Sequence, residues 1–184
     1  MISTTYMVPL GISAAAAVRV GQAIGRRDVS GAAVSGWTAL LLGALFMSTA
    51  GIALAVAPAY IANLYIRNAA VVAGGAVLLR IAAVFQLFDG LQVVSTGALR
   101  GIGDTRSPML AHLLGYWAVG LPVAYVLCFS LHWGAPGVWV GLSAALILIG
   151  TTLVLVWCRA IRTAAPPSGP LASPAPPAAT PPAA

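Results

Sequence analysis

The stretch VSGWTALLLGALFMSTAGIALAVA, residues 34–57, runs for twenty-four positions without a charged side chain. At about 1.5 Å rise per residue it makes a helix of roughly 36 Å, enough to cross a hydrocarbon core of ~30 Å. Four more apolar stretches of spanning length flank it, at approximately residues 2–24, 71–99, 110–131 and 137–157. The first is diluted at its start by Ser3, Thr4 and Thr5. The predicted fold is all-α: a polytopic transmembrane helix bundle of about five spans occupying residues 1–162.

Composition supports that solvent. Hydrophobic residues make up 60% of the 184, charged residues only 7%, and the mean hydropathy is +0.98. A soluble domain carries roughly 25% charged residues because its surface faces water. The formal charge of +6 does not mark a nucleic-acid binder, since the nine basic residues are all Arg, placed singly or in pairs. A nucleic-acid footprint would cluster them on one face among polar and aromatic side chains. Cys128 and Cys158 lie in apolar runs without metal or redox spacing and read as packing residues. The first eighteen residues carry no basic segment of the secretory type.

The arginines set an orientation. With the first and third connections and the C-terminus inside, Arg26, Arg27, Arg100, Arg106, Arg159 and Arg162 are cytoplasmic and only Arg67 is outside. That is the positive-inside bias of a multi-pass protein of the cell membrane. Trp133 and Trp139 then belong near the outer interface, Trp37 and Trp157 near the inner one. Residues 163–184 hold eight of the thirteen prolines and no charge, which predicts a disordered, partly polyproline-II cytoplasmic tail.

Only three acidic residues exist. Asp28 and Asp104 sit in the arginine-bearing loops, where turn or cap formation accounts for them. Asp89 falls inside the third span, where a carboxylate costs about 2.5–3.5 kcal/mol to insert and must face protein or a watery cavity. Gln86 lies three residues before it, Gln92 three after and Thr96 seven after, a polar stripe at helical spacing. The stripe suits either hydrogen bonding between helices or cation coupling, in which Asp89 exchanges H⁺ or binds Na⁺ with neighbouring amide oxygens. Each charge moved down the membrane potential supplies about 2.3 kcal/mol per 100 mV. Arg80 is nine residues from Asp89, some 13.5 Å along the axis and on the opposite face, so the two form no intrahelical pair.

Other residues shape helices. Pro9 and Pro122 remove backbone hydrogen bonds inside spans one and four and favour kinks. Gly21 with Gly25, and Gly97 with Gly101, are spacings that admit close helix approach. His112 reads as a hydrogen-bonded packing residue. Nothing in the sequence has the pattern of an enzyme: no phosphate-cradling loop, metal-ligand cluster or nucleophile triad occurs.

Three ordered blocks add a resemblance. MVPLGISAA with VRVGQAIG (7–15, 18–25) is similar to the eighth helix of multidrug and toxic compound extrusion (MATE) transporters. FQLFDGLQVV with GALRGIGDT (85–94, 97–105) resembles that family's tenth helix and following loop, and GYWAVGLP with GVWVGL (115–122, 137–142) its helices eleven and twelve. The resemblance implies a NorM-like antiporter that exports cationic or amphipathic drugs against Na⁺ or H⁺, without a cofactor beyond that ion. It implies the cation-coupling acidic position at Asp89, with Gln86 and Gln92 beside it; where the family often has Asn, His112 stands here. It also implies that the first lobe and helix seven lie outside this sequence, which then reads as a C-terminal-lobe fragment needing an N-terminal lobe in cis or trans. An inactive remnant or non-catalytic membrane scaffold is the alternative. A flippase of lipid-linked precursors fits less well, since only Arg80 or Arg19 could hold its phosphate.

Overall fold

The structure, a computed structural model, describes residues 2–63 and 69–164. Helix α1 spans Ile2–Gly25, α2 Val29–Val56, the short α3 Pro58–Asn63, and α4 Ala69–Gly101. The fourth span is composite: α5 (Arg106–Leu114), a π-helical turn (Gly115–Gly120), α6 (Leu121–Tyr125) and a second π turn (Val126–Ser130). Helix α7 covers Ala135–Ala164. Five of these segments are long and apolar enough to cross a membrane, so the all-α, five-span bundle stands.

Helix ends differ from the apolar runs, because polar caps extend a helix beyond its hydrocarbon length. Helix α2 begins at Val29, not near residue 34, since the Asp28 carboxylate accepts the Gly31 N–H at 2.8 Å. Helix α7 continues past residue 157 to Ala164, and the Thr163 hydroxyl donates to the Arg159 carbonyl within it. The rest of the expected Pro/Ala tail, from residue 165, lies outside the described residues, as does Arg67.

The two arginine-bearing loops share one design. After α1, the Arg27 N–H donates to Ile24 O and the Asp28 N–H to Ala23 O; after α4, Gly103 N–H donates to Arg100 O and Asp104 N–H to Leu99 O. Both are Schellman closures with a left-handed residue, Arg27 (φ 59°) and Gly103 (φ 86°). In both, an aspartate then caps the next helix: Asp28 as above, and Asp104 accepting the Ser107 N–H at 3.0 Å. The Gly31 and Ser30 hydrogen bonds hold the Asp28 carboxyl below the usual carboxylate range. Partial burial acts upward on Asp104, but the hydrogen bonds from Ser107 and the Arg106 backbone outweigh it, leaving that carboxyl lowered too.

Helix α4 is the hub, packed on α1, α2, α3 and α7. Helices α1 and α4 run parallel in a constant register: Thr5 meets Gln86, Ser13 meets Val93, and Gly21 meets Gly101. Small residues make this approach possible, for a Cβ on Gly97 would collide with the Ser13 backbone and one on Gly101 would lie 2.8 Å from Ala17 O. Gly25 faces open space, so of the two small-residue spacings the α4 pair does the packing. Helix α2 crosses α4 antiparallel, Gly43 on Val94, Met47 on Gly90 and Gly51 on the Ala83 carbonyl.

Trp157 corrects an expectation. It is fully buried, its indole filling the space left by Gly36 inside the cluster of Val20, Leu99, Ile149 and Leu153, instead of anchoring at an interface. Trp139 is half-buried and stacks on Phe85 at 6.1 Å between ring centroids.

The fourth span and α7 mesh through a second small-residue seam. Gly137, Gly141, Ala145 and Ile149 recur every four residues on α7; facing them are Cys128, Ala124, Gly120 and Gly115. Going backward, the steps on the fourth span are four, four and then five. The five-residue step is the π turn, whose Leu121 N–H bonds Tyr116 O across five residues. It lies directly before Pro122, which lacks an N–H, and keeps Gly115 and Gly120 on the α7 side. Helix α1 runs through buried Pro9 without a break in its α assignment.

Candidate functional site

The expected polar stripe divides in two. Three-residue steps drift back by about 60° around a helix, so Gln86 and Gln92 point roughly 120° apart. Gln86, fully buried, turns toward α1 and α2, donating to Thr5 Oγ1 at 3.1 Å and to Met47 Sδ at 3.4 Å. Gln92 donates to Asp89 Oδ1 at 2.9 Å, and the Thr96 hydroxyl donates to the Gln92 carbonyl at 2.7 Å. The structure therefore brings together Asp89, Gln92 and Thr96, and sends Gln86 elsewhere. Asp89 is half-buried. The buried Gln92 Oε1 and Gln86 Oε1 have no partner among the described residues, nor has the neighbouring Ser95 Oγ.

Tyr116, on the first π turn, joins this group: its phenol lies beside the Gln92 amide and within electrostatic reach of Asp89 and Tyr6. Sequence reading missed it as a site residue; no spacing links it to Asp89, because the contact depends on the register of two separate spans. His112 sits one turn away, its ring tilted against Tyr116 and its Nδ1 bonded to the Pro108 carbonyl at 2.6 Å.

Between α1, α4 and the fourth span opens a cleft of about 780 Å³. Tyr6, Tyr116 and Trp117 give it aromatic walls; Ser13 and Thr96 line its floor and Arg100 one end. The Ser13 hydroxyl donates to Val93 O at 2.8 Å, which turns it from the cleft into the α1–α4 contact. A cleft of this size and lining suits an amphipathic small molecule. No group of three or more His, Cys, Asp or Glu side chains occurs among the described residues, so a cation here would rest on one carboxylate with amide and hydroxyl oxygens.

The family model for MatE matches residues 1–126. The chain belongs to the MatE family. It is 47% identical over 166 residues to a multidrug resistance protein NorM of Burkholderia vietnamiensis, covering 88% of this chain and 36% of that protein. A probable NorM of Brucella suis is 41% identical over 162 residues, covering 85% and 34% respectively. This MatE chain thus spans little more than a third of the length of these relatives. Among solved structures, the eukaryotic MATE transporter AtDTX14 superposes with a TM-score of 0.80 at 23% identity, over 89% of this chain and 38% of that one. An inward-facing multidrug resistance MATE transporter of the MOP superfamily superposes at 0.77 and 16% identity, over 89% and 39%. Both show that the five-span arrangement is a MATE fold, in part.

Proposed function

We propose that this chain forms part of a multidrug efflux transporter that exports cationic or amphipathic compounds by Na⁺ or H⁺ antiport, with Asp89 carrying the coupling ion. The observation that supports it is the Asp89–Gln92–Thr96 group at mid-span, with Tyr116 reaching from it to an aromatic cleft. A cation at Asp89 would draw on the carboxylate and on Gln92 Oε1, a buried oxygen that has no partner among the described residues. Cation uptake would change what Asp89 offers Gln92 and Tyr116, and through Tyr116 the wall of the cleft. Ion entry and drug exit are then linked by competition across one tyrosine. Gln86 supports the α1–α2–α4 junction in this mechanism instead of touching the ion.

Alternating access requires a second bundle against which this one rocks. An N-terminal lobe, in cis or in trans, is the proposed partner, in a cell membrane with loops one and three and the C-terminus on the cytoplasmic side. The test replaces the matching segment of the Burkholderia vietnamiensis relative with this chain and follows dye efflux from loaded vesicles under an imposed ion gradient. The chimera should export dye, and Asp89→Asn should abolish ion-driven export at equal expression. Undiminished export by the Asp89→Asn chimera would remove Asp89 from the mechanism; an inert but well-expressed parent chimera would favour the scaffold reading.

A further inference from the structure

Arg80 has no part in the site above, yet its surroundings are specific. It lies on α4 twenty residues before Arg100, a separation of about 30 Å, the thickness of the hydrocarbon core. Arg80 lies six residues inside the N-terminal edge of the apolar span Gly74–Gly101, about 9 Å along the axis, a depth from which its long side chain snorkels to the headgroups of the leaflet at the N-terminal end of α4. It is exposed and forms no ion pair among the described residues. None of the chain's three acidic side chains, all among the described residues, is a counter-charge nearby. Of its three acids, Asp28 and Asp104 stand at the opposite ends of α2 and α4, and Asp89 faces the other way and holds Gln92.

Below Arg80 a groove of about 390 Å³ runs between α2 and α4 toward mid-span. Its floor is the close contact of Gly51 with the Ala83 carbonyl, 3.1 Å from where a Cβ would sit. Its walls are Ile52 and Ala55 on one side, Val84 and Leu87 on the other. Ile52 and Val84 are 62% and 66% exposed, so the walls stay open to whatever surrounds the helices at that depth. An unpaired guanidinium at the mouth of an apolar trough is the shape and charge of one occupant: phosphate at the top, alkyl chain beneath.

We propose that this groove is a binding site for an anionic phospholipid of that leaflet, its phosphate paired with Arg80 and one acyl chain lying between α2 and α4. Arginine suits the role because its planar fork meets two phosphate oxygens at once. A single basic residue near an anionic surface contributes about a fivefold preference, so phosphatidylglycerol is favoured over phosphatidylcholine by roughly that factor.

The test reconstitutes the full chain in phosphatidylcholine nanodiscs and compares trace phosphatidylglycerol and phosphatidylcholine probes that carry a diazirine in the acyl chain. Adducts mapped by mass spectrometry should concentrate on Ile52, Ala55, Val84 and Leu87 with the phosphatidylglycerol probe. Arg80→Gln should reduce them about fivefold, Arg80→Lys less, while adducts at exposed Leu41 and Trp117 stay constant and report that the bundle is intact. Ala55→Trp, which fills the trough and leaves Arg80 in place, should reduce them as well. Equal labelling by both probes, or labelling indifferent to Arg80→Gln, overturns the site. Loss of Arg80-dependent labelling on adding inorganic phosphate would assign the guanidinium to a free anion, and groove labelling present with one chain per nanodisc but lost with two would assign the groove to a second copy. Either result also overturns the proposal.

Discussion

Replacing Gly97 with alanine should pry α1 from α4. The added methyl would meet the Ser13 backbone carbonyl and its hydroxyl, and a backbone atom cannot swing aside as a side-chain tip can. Overpacking of this kind costs about 1–3 kcal/mol. Moving Ser13 also stretches its hydroxyl bond to Val93 O, which at 2.8 Å is one of the links between the two helices and is worth ~0.6 kcal/mol in a membrane protein. The total of about 2–4 kcal/mol lowers the folding equilibrium by roughly thirty- to a thousandfold. The assay is reversible unfolding of the purified chain in mixed micelles as denaturing detergent is raised, read by circular dichroism. Gly25→Ala is the internal control, because a Cβ there meets nothing within 4 Å. It should be neutral or gain up to ~1 kcal/mol from helix propensity. Equal midpoints for the two variants would refute the claim that Gly97 sets the α1–α4 approach.

Three further outcomes follow from the packing and the loops. Trp157→Ala should cost about 3–5 kcal/mol by emptying the space beside Gly36, whereas Trp157→Phe, which also removes an indole N–H that has no partner among the described residues, should stay within ~1 kcal/mol; the same unfolding titration decides. Arg27→Gly should stabilise the first turn and Gly103→Ala destabilise the third by about 1 kcal/mol each, since both positions are left-handed and only one carries glycine; thermal unfolding of the two variants should shift in opposite directions. The lowered Asp28 carboxyl supports the start of α2 at all pH values above the ordinary carboxylate range and loses that support as pH falls through its folded value. The protection factor of the Gly31 amide, its exchange rate referred to that of an unprotected amide at the same pH, should therefore fall from neutral to acid in the wild type; in Asp28→Asn, whose cap has no charge to lose, it should stay level.

The number of spans was legible because it is set locally, by runs of apolar residues, and a charge out of place in one of those runs is what made Asp89 the candidate. Pairing was not legible. Periodicity put Gln86, Asp89, Gln92 and Thr96 on one stripe, but a stripe is only a direction in space; Thr5 and Met47 drew Gln86 one way while Asp89 drew Gln92 another. Tyr116 escaped for the same reason, since its place depends on how the fourth span is registered against α4. Trp157 looked like an interface aromatic from its position near a helix end, and only Gly36, more than a hundred residues earlier, shows that it is a core residue. The caps at Asp28 and Asp104 were readable as turn chemistry, whereas the matching pair of Schellman closures needed backbone angles.

The two π turns give the fourth span slack. Each stores one residue more than the α-helix around it requires. Were one to tighten into α-helix, the segment beyond it would advance by about 1.5 Å and swivel by roughly 100° while the backbone N–H groups exchanged one carbonyl partner for the next. Tyr116 stands at the start of that stored length. A rod so built can reset its hand against its neighbours one notch at a time, like a rope eased around a cleat.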